Sequence, residues 1–122
     1  MSGVQTLSPQ TTWTPAASTG PLALSRPQSQ ATLPALDSSN VSMIVENGAS
    51  GALYINFGTS ADMTANPSLP GCFVVPAGET VVVPASFSPG TATNAAIWSG
   101  GNGGMVTFTR GTLTTASVVV PA

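Results

Sequence analysis

Short apolar runs separated by turn-forming residues limit this chain to a β fold. From about residue 41 onward, seven runs rich in β-branched and aromatic residues occupy positions 41–46, 52–57, 72–75, 80–84, 94–98, 105–109 and 113–120. Glycine, asparagine and proline stand between them and supply turn geometry. No stretch has the apolar spacing of three and four residues that a helix requires. The pattern predicts an all-β domain over residues 41–122, a small β-sandwich or jelly-roll-like barrel.

Residues 1–40 differ from the rest of the chain in composition. This segment is rich in Ser, Thr and Gln and has prolines at positions 9, 15, 21, 27 and 34. That spacing excludes a regular helix and a central strand and favours extended backbone. We expect an extended Pro/Ser/Thr-rich N-terminal arm without a sheet of its own, so that removal of residues 1–36 leaves a folded β-domain. Its apolar side chains are interface candidates, chiefly Val4, Leu7, Trp13, Leu22 and Leu24.

The chain is poor in groups that catalyse reactions. It has no histidine, two basic residues in total and four carboxylates, which are Asp37, Glu46, Asp62 and Glu79. General acid–base catalysis needs a group that titrates near neutral pH, and a serine nucleophile needs a base that histidine usually provides. The carboxylates lie far apart in sequence and lack the spacing of a calcium loop. We therefore expect a protein that is not an enzyme, without catalytic residues, cofactor or metal.

Composition also bears on partners and location. The formal net charge is −2 and only 5% of the residues are charged, so no basic stripe exists for phosphate backbones or anionic lipids. The apolar runs are much shorter than a membrane span. The N-terminus lacks the basic and apolar regions of a secretory signal. The sequence predicts no nucleic-acid or membrane partner and synthesis in the cytoplasm.

Three motifs have a structural and a functional interpretation. The glycine-rich residues 100–104 follow one β run and precede another, and no lysine follows them, which favours a β connection over a phosphate-binding loop. Cys72, without a basic neighbour, is expected to be a small buried apolar residue. Trp98 is expected at the core or a subunit interface, the alternative being a ligand-stacking surface. Arg26 and Arg110 are each either paired with a carboxylate at an interface or solvated.

The order of short segments in residues 41–110 resembles small virion proteins of tailed bacteriophages. The resemblance rests on Val45-Glu46-Asn47, the run from Ala52 to Gly58, the turn Pro76-Ala77-Gly78-Glu79, Ala95-Ala96-Ile97-Trp98-Ser99 and the run from Gly104 to Thr109. It covers a little over half of the chain and consists of loose apolar patterns. Such a resemblance implies a compact β-domain mounted on the particle in a capsid decoration, connector or tail role.

Composition and resemblance together predict a structural protein of the virion. The first hypothesis is a capsid decoration, or cement, protein that binds the major capsid protein and bridges neighbouring subunits through its arm. The poverty of charge fits this role because much of the surface would be covered by other subunits, including further copies of the same chain. The alternatives are a tail or head–tail connector component, or a carbohydrate- or receptor-binding β-module that uses Trp98, Trp13 or Tyr54.

Overall fold

The structure, a computed structural model, describes residues 6–100 and 103–120, and for residues 6–9 and 116–120 it describes the backbone alone. Nine strands account for most of the described chain. They are β1 (Thr6–Ser18), β2 (Leu22–Ala23), β3 (Gln28–Thr32), β4 (Ser42–Asn47), β5 (Leu53–Gly58), β6 (Phe73–Val75), β7 (Thr80–Val82), β8 (Asn94–Ser99) and β9 (Met105–Val120). A single turn of 3₁₀ helix, Ala85–Phe87, is the one helical element within these residues. The protein is therefore all-β, as the sequence predicts.

The strands form two antiparallel sheets. The first sheet has the order β1-β9-β4-β7, and the short β2 pairs with β9 next to β1. The second sheet has the order β3-β8-β5-β6. Every pairing is antiparallel, and strands distant in sequence lie side by side, so the N-terminal and C-terminal strands β1 and β9 are neighbours. The first and the last described strand consequently lie in one sheet.

One hydrophobic core contains side chains from both sheets. The first sheet contributes Met43, Val45 and Phe108, and the second contributes Leu53 and Ile55, all with 0% exposure. Strands of either sheet alternate buried and exposed positions, as expected when one face of a sheet packs inward. Rings also meet across the core: Phe57 and Phe108 stand edge to face with centroids 6.2 Å apart. Burial of this apolar face is what holds the sheets in place.

The C-terminal strand is longer than the sequence pattern predicts. Residues 105–109 and 113–120 are predicted as two runs, whereas β9 is one continuous strand, Met105–Val120. Arg110 and Gly111 interrupt the apolar pattern without making a turn. The side chain of Arg110 is buried, and the ring of Trp13 occupies the space above Gly111, where a Cβ would lie 2.9 Å from the ring. Both residues therefore serve packing inside a strand.

The N-terminal segment completes both sheets. β1 and β2 pair with β9 at one side of the first sheet, and β3 pairs with β8 at one side of the second. These strands do not pair with one another. However, Ala31 and Leu33 are 5% exposed and belong to the core. Such contacts count against independent folding of residues 41–122, whose separation from the arm stays a prediction.

Candidate interaction surfaces

An exposed apolar surface lies where β4 begins and β7 ends. Val41 is 50% exposed, Val82 44% and Leu113 37%, and they lie beside the exposed Pro84 and Ala85. We call these five residues the end surface. Val41, Val82 and Leu113 line one groove of about 330 Å³, and Val41 and Ala85 border a second hollow of about 310 Å³. None of the side chains that line either hollow is charged, so a partner can cover this surface without desolvating an ion.

Beyond the end surface, β1 and β9 continue together as a two-stranded ribbon. β4 accompanies β9 only as far as the pair Ser42–Gly111. Residues 6–14 and 112–120 pair with each other alone, over about 30 Å at the usual rise of a strand. We call these two segments the terminal ribbon. Neither segment contains a charged residue. Trp13, half-buried, faces Leu113 across the ribbon and packs over Gly111.

The side chain of Arg110 joins three separate parts of the chain. Its Nε donates to the carbonyl of Pro34 at 2.7 Å, its Nη1 donates to that of Pro89 at 2.6 Å, and its Nη2 donates to that of Ala92. The residue is 1% exposed, and burial lowers its pKa. No carboxylate within the described ranges pairs with it, so both sequence-based alternatives, a carboxylate pair and a solvated tip, are wrong for Arg110. The guanidinium instead fixes loops to β9 through backbone acceptors.

A hollow of about 490 Å³ borders Arg110 on the side of the segment before β4. Asp37 lines the same hollow, and its carboxylate accepts hydrogen bonds from the backbone N–H and hydroxyl of Ser39 and from Asn40 Nδ2 at 2.8 to 3.0 Å. These donors lower the pKa of Asp37, the backbone N–H of Ser39 contributing most. The carboxylate is thus used to shape the turn at residues 37–40.

Trp98 and Tyr54 form a pair on the outer face of the second sheet. They are paired residues on β8 and β5, both half-buried, with ring centroids 5.6 Å apart and planes at 79°. Gly100 leaves room for the indole, because a Cβ there would lie 2.6 Å from the ring. Gln28, beside Trp98 on β3, donates its amide to the carbonyl of Ala65. Trp98 therefore packs on the sheet and leaves part of its ring exposed to solvent.

The remaining sequence-predicted residues are dispersed. Leu22 and Leu24 are half-buried and pack against the core. Arg26 is exposed, and no hydrogen bond or ion pair links it to the described residues. Val4 lies outside the described residues, and of Leu7 only the backbone in β1 is described. Cys72 is half-buried and free, so the expectation of full burial is wrong.

Sequence reasoning missed the end surface because its members are separated in the chain. Val41 and Val82 each lie in or next to a predicted strand, where an exposed valine cannot be told from a buried one by pattern alone. The structure brings them together with Leu113 at one end of the first sheet.

Residues 6–100 and 103–120 contain neither a cluster of metal ligands nor a membrane-spanning helix. These residues contain no group of three or more His, Cys, Asp or Glu side chains placed to hold a metal ion. No helix in this part of the chain is long and apolar enough to span a membrane. Compared with known proteins, the chain matches no family model, no curated protein and no solved structure.

Proposed function

We propose that the protein is a non-enzymatic structural protein of a virus particle, a capsid decoration protein that binds the outer shell of the major capsid protein and bridges neighbouring subunits. The observation that carries the proposal is the end surface, which presents exposed Val41, Val82 and Leu113 beside two hollows without charged lining. Exposed apolar patches of this kind are typical of sites that another protein covers. Localisation in the virion is part of the same proposal.

The mode of action is adhesion. A protein that binds only the assembled shell stabilises the shell by mass action, and many copies multiply the effect. The terminal ribbon supplies reach, since it extends about 30 Å from the sheet that carries the end surface. When the end surface is bound, the ribbon is held near a second capsid subunit. The effective concentration for this second contact is therefore high, and the overall affinity for the shell rises. Particles that lack the protein are expected to lose integrity at lower temperature than complete particles.

Val82→Asp is expected to weaken binding to particles stripped of the native protein at least about tenfold, because a buried valine contributes about 1.5–3 kcal/mol and a buried aspartate costs more. Val74→Asp is the matched control: Val74 is also 44% exposed on a short strand, but in the second sheet. The measurement is co-sedimentation with particles stripped of the native protein. Equal weakening by both substitutions, or by neither, would count against the end surface.

Salt gives an independent test of the same contact. The end surface has no charged member, so binding is expected to change little between low and high ionic strength. Release of the protein from particles by moderate salt would contradict apolar attachment. Unchanged heat stability of particles after its removal would instead leave a tail or head–tail connector position as the better proposal.

A second candidate function is glycan binding by Tyr54 and Trp98. The observation in its favour is the half-buried ring pair on the outer face of the second sheet, since an open aromatic ring packs well against the apolar face of a sugar. Trp98→Ala is expected to abolish binding to a glycan array, whereas Trp13→Ala is expected to leave it unchanged. Absence of any glycan bound by the native protein rejects this candidate.

The finer architecture is part of the proposal. We infer that the two sheets pack face to face as a small β-sandwich of jelly-roll type, a description supported by the core that both sheets share. The extended arm is proposed to correspond to the part of the N-terminal segment that runs in the terminal ribbon.

A further inference from the structure

The terminal ribbon has too few strands to be stable alone in water. Isolated two-stranded ribbons are marginal, and three or more strands or packing against another element are needed. Beyond the pair Ser42–Gly111, β9 has β1 as its one paired strand among the described residues. Within the terminal ribbon, the described hydrogen bonds from the segment before β4 to β9 all end at Thr112, whose hydroxyl donates to the carbonyl of Ser39 at 2.8 Å. From Leu113 onward, one edge of β9 is therefore open.

The two edges of the ribbon differ in their proline content. Along an antiparallel strand, successive residues direct their backbone groups to opposite sides. Pro9 and Pro15 have no N–H, so they take positions of β1 that face away from β9, and the other odd-numbered residues in that stretch face the same way. Of the outward donors from position 9 to position 15, those of Thr11 and Trp13 remain. The prolines therefore leave the outer edge of β1 with few N–H donors for pairing with another strand.

The open edge of β9 contains no proline. Val83 donates to the carbonyl of Met43, so Met43 faces β7 and its neighbours Ser42 and Ile44 face β9, opposite Gly111 and Thr109. Odd-numbered residues of β9 therefore face the side of β4. Past the end of β4 they face an open edge made of residues 113–120, Leu-Thr-Thr-Ala-Ser-Val-Val-Val, which contain no proline, glycine or charge. Proteins normally cover or interrupt an edge of this composition.

We propose that this open edge of β9 pairs antiparallel with the same edge of a second copy around a two-fold axis. The combined ribbon has the order β1-β9-β9-β1, so each marginal pair of strands becomes part of a four-stranded sheet. Identical strands without charge do not repel each other, and a two-fold contact satisfies both edges at once. The new outer edges are the proline-bearing edges of β1, which stops the assembly at two copies.

A pair of proline substitutions on one rung of the ribbon tests the proposal. Thr11 and Thr115 are paired, both exposed, and their hydroxyls lie 3.3 Å apart. Both residues direct their backbone groups away from the other strand of the ribbon. Thr115→Pro therefore removes an N–H donor from the open edge of β9, and Thr11→Pro removes one from the proline-bearing edge of β1. In light scattering coupled to size exclusion, the isolated full-length protein and Thr11→Pro are expected to be dimers, and Thr115→Pro a monomer.

Circular dichroism establishes that each variant retains the β fold. If Thr115→Pro fails to fold, Thr115→Lys takes its place, because a lysine on an edge strand opposes pairing and is expected to weaken dimerisation about tenfold or more. A native protein that stays monomeric at high concentration, or a Thr115 variant that dimerises as well as the native protein, overturns the proposal. The measurement requires no particle, so its outcome is separate from that of the proposed function.

Disulfide trapping tests the register. Cys72 is the one cysteine of the chain, so a Cys72→Ser protein can carry a single new cysteine at each position from 113 to 119 in turn. Around a two-fold axis, identical residues approach each other only near the axis. The yield of disulfide-linked dimer is expected to be highest at one or two neighbouring positions and to fall on either side of them. Trapping at none of the seven positions contradicts pairing through this edge.

Discussion

Replacement of Arg110 by methionine is expected to destabilise the protein by about 4 kcal/mol, because three carbonyl groups lose their donor and an unsatisfied buried acceptor costs about 1–3 kcal/mol. The guanidinium connects Pro34, Pro89 and Ala92 to β9 and is 1% exposed. Small domains have a total stability of roughly 5–15 kcal/mol, so this loss is a large fraction of the whole. Urea unfolding followed by circular dichroism measures it through the midpoint.

Arg26→Met provides the matched control for this substitution. Arg26 is exposed and makes no hydrogen bond or ion pair with the described residues, so its replacement is expected to change the stability by less than about 0.5 kcal/mol. Arg110→Lys is expected to fall between the two, since one ammonium group cannot reach three acceptors placed for a planar guanidinium. A loss below about 1 kcal/mol for Arg110→Met would mean that water replaces the missing donors.

Removal of residues 1–36 is expected to leave a chain that does not fold. This truncation deletes β3, which supplies five paired residues to β8, together with the core residues Ala31 and Leu33. It also removes Pro34, an acceptor of Arg110. The combined loss of burial and pairing is comparable with the roughly 5–15 kcal/mol that keeps a small domain folded. The measurement is the far-ultraviolet dichroism and the thermal transition of the purified fragment.

Removal of residues 1–18 is the control truncation. It deletes β1 but leaves β2 and β3, and no described side chain of β1 belongs to the core cluster. This fragment is expected to show a cooperative thermal transition. A folded fragment after removal of residues 1–36 would instead establish residues 41–122 as an independent domain, as composition alone predicts.

Sequence by itself determined the fold class and most strand positions. Turn residues and short β-rich runs placed β4, β5, β6, β7 and β8 within one or two residues of their observed bounds. That information is local, because a run of alternating apolar residues bounded by Gly, Pro or Asn has few alternatives to a strand. The prolines likewise excluded a central strand from residues 1–40, and β1, which contains Pro9 and Pro15, lies at the edge of the first sheet.

Tertiary structure alone decided which strands are neighbours and what their side chains do. Antiparallel pairing of β1 with β9 joins residues about a hundred positions apart, and no local pattern specifies such a partner. The roles of Arg110 and Gly111 depend on carbonyl groups and an aromatic ring delivered by other segments, so a strand continues where the sequence indicates an interruption. The open edge of β9 arises in the same way, since an edge exists only where the neighbouring strand β4 ends.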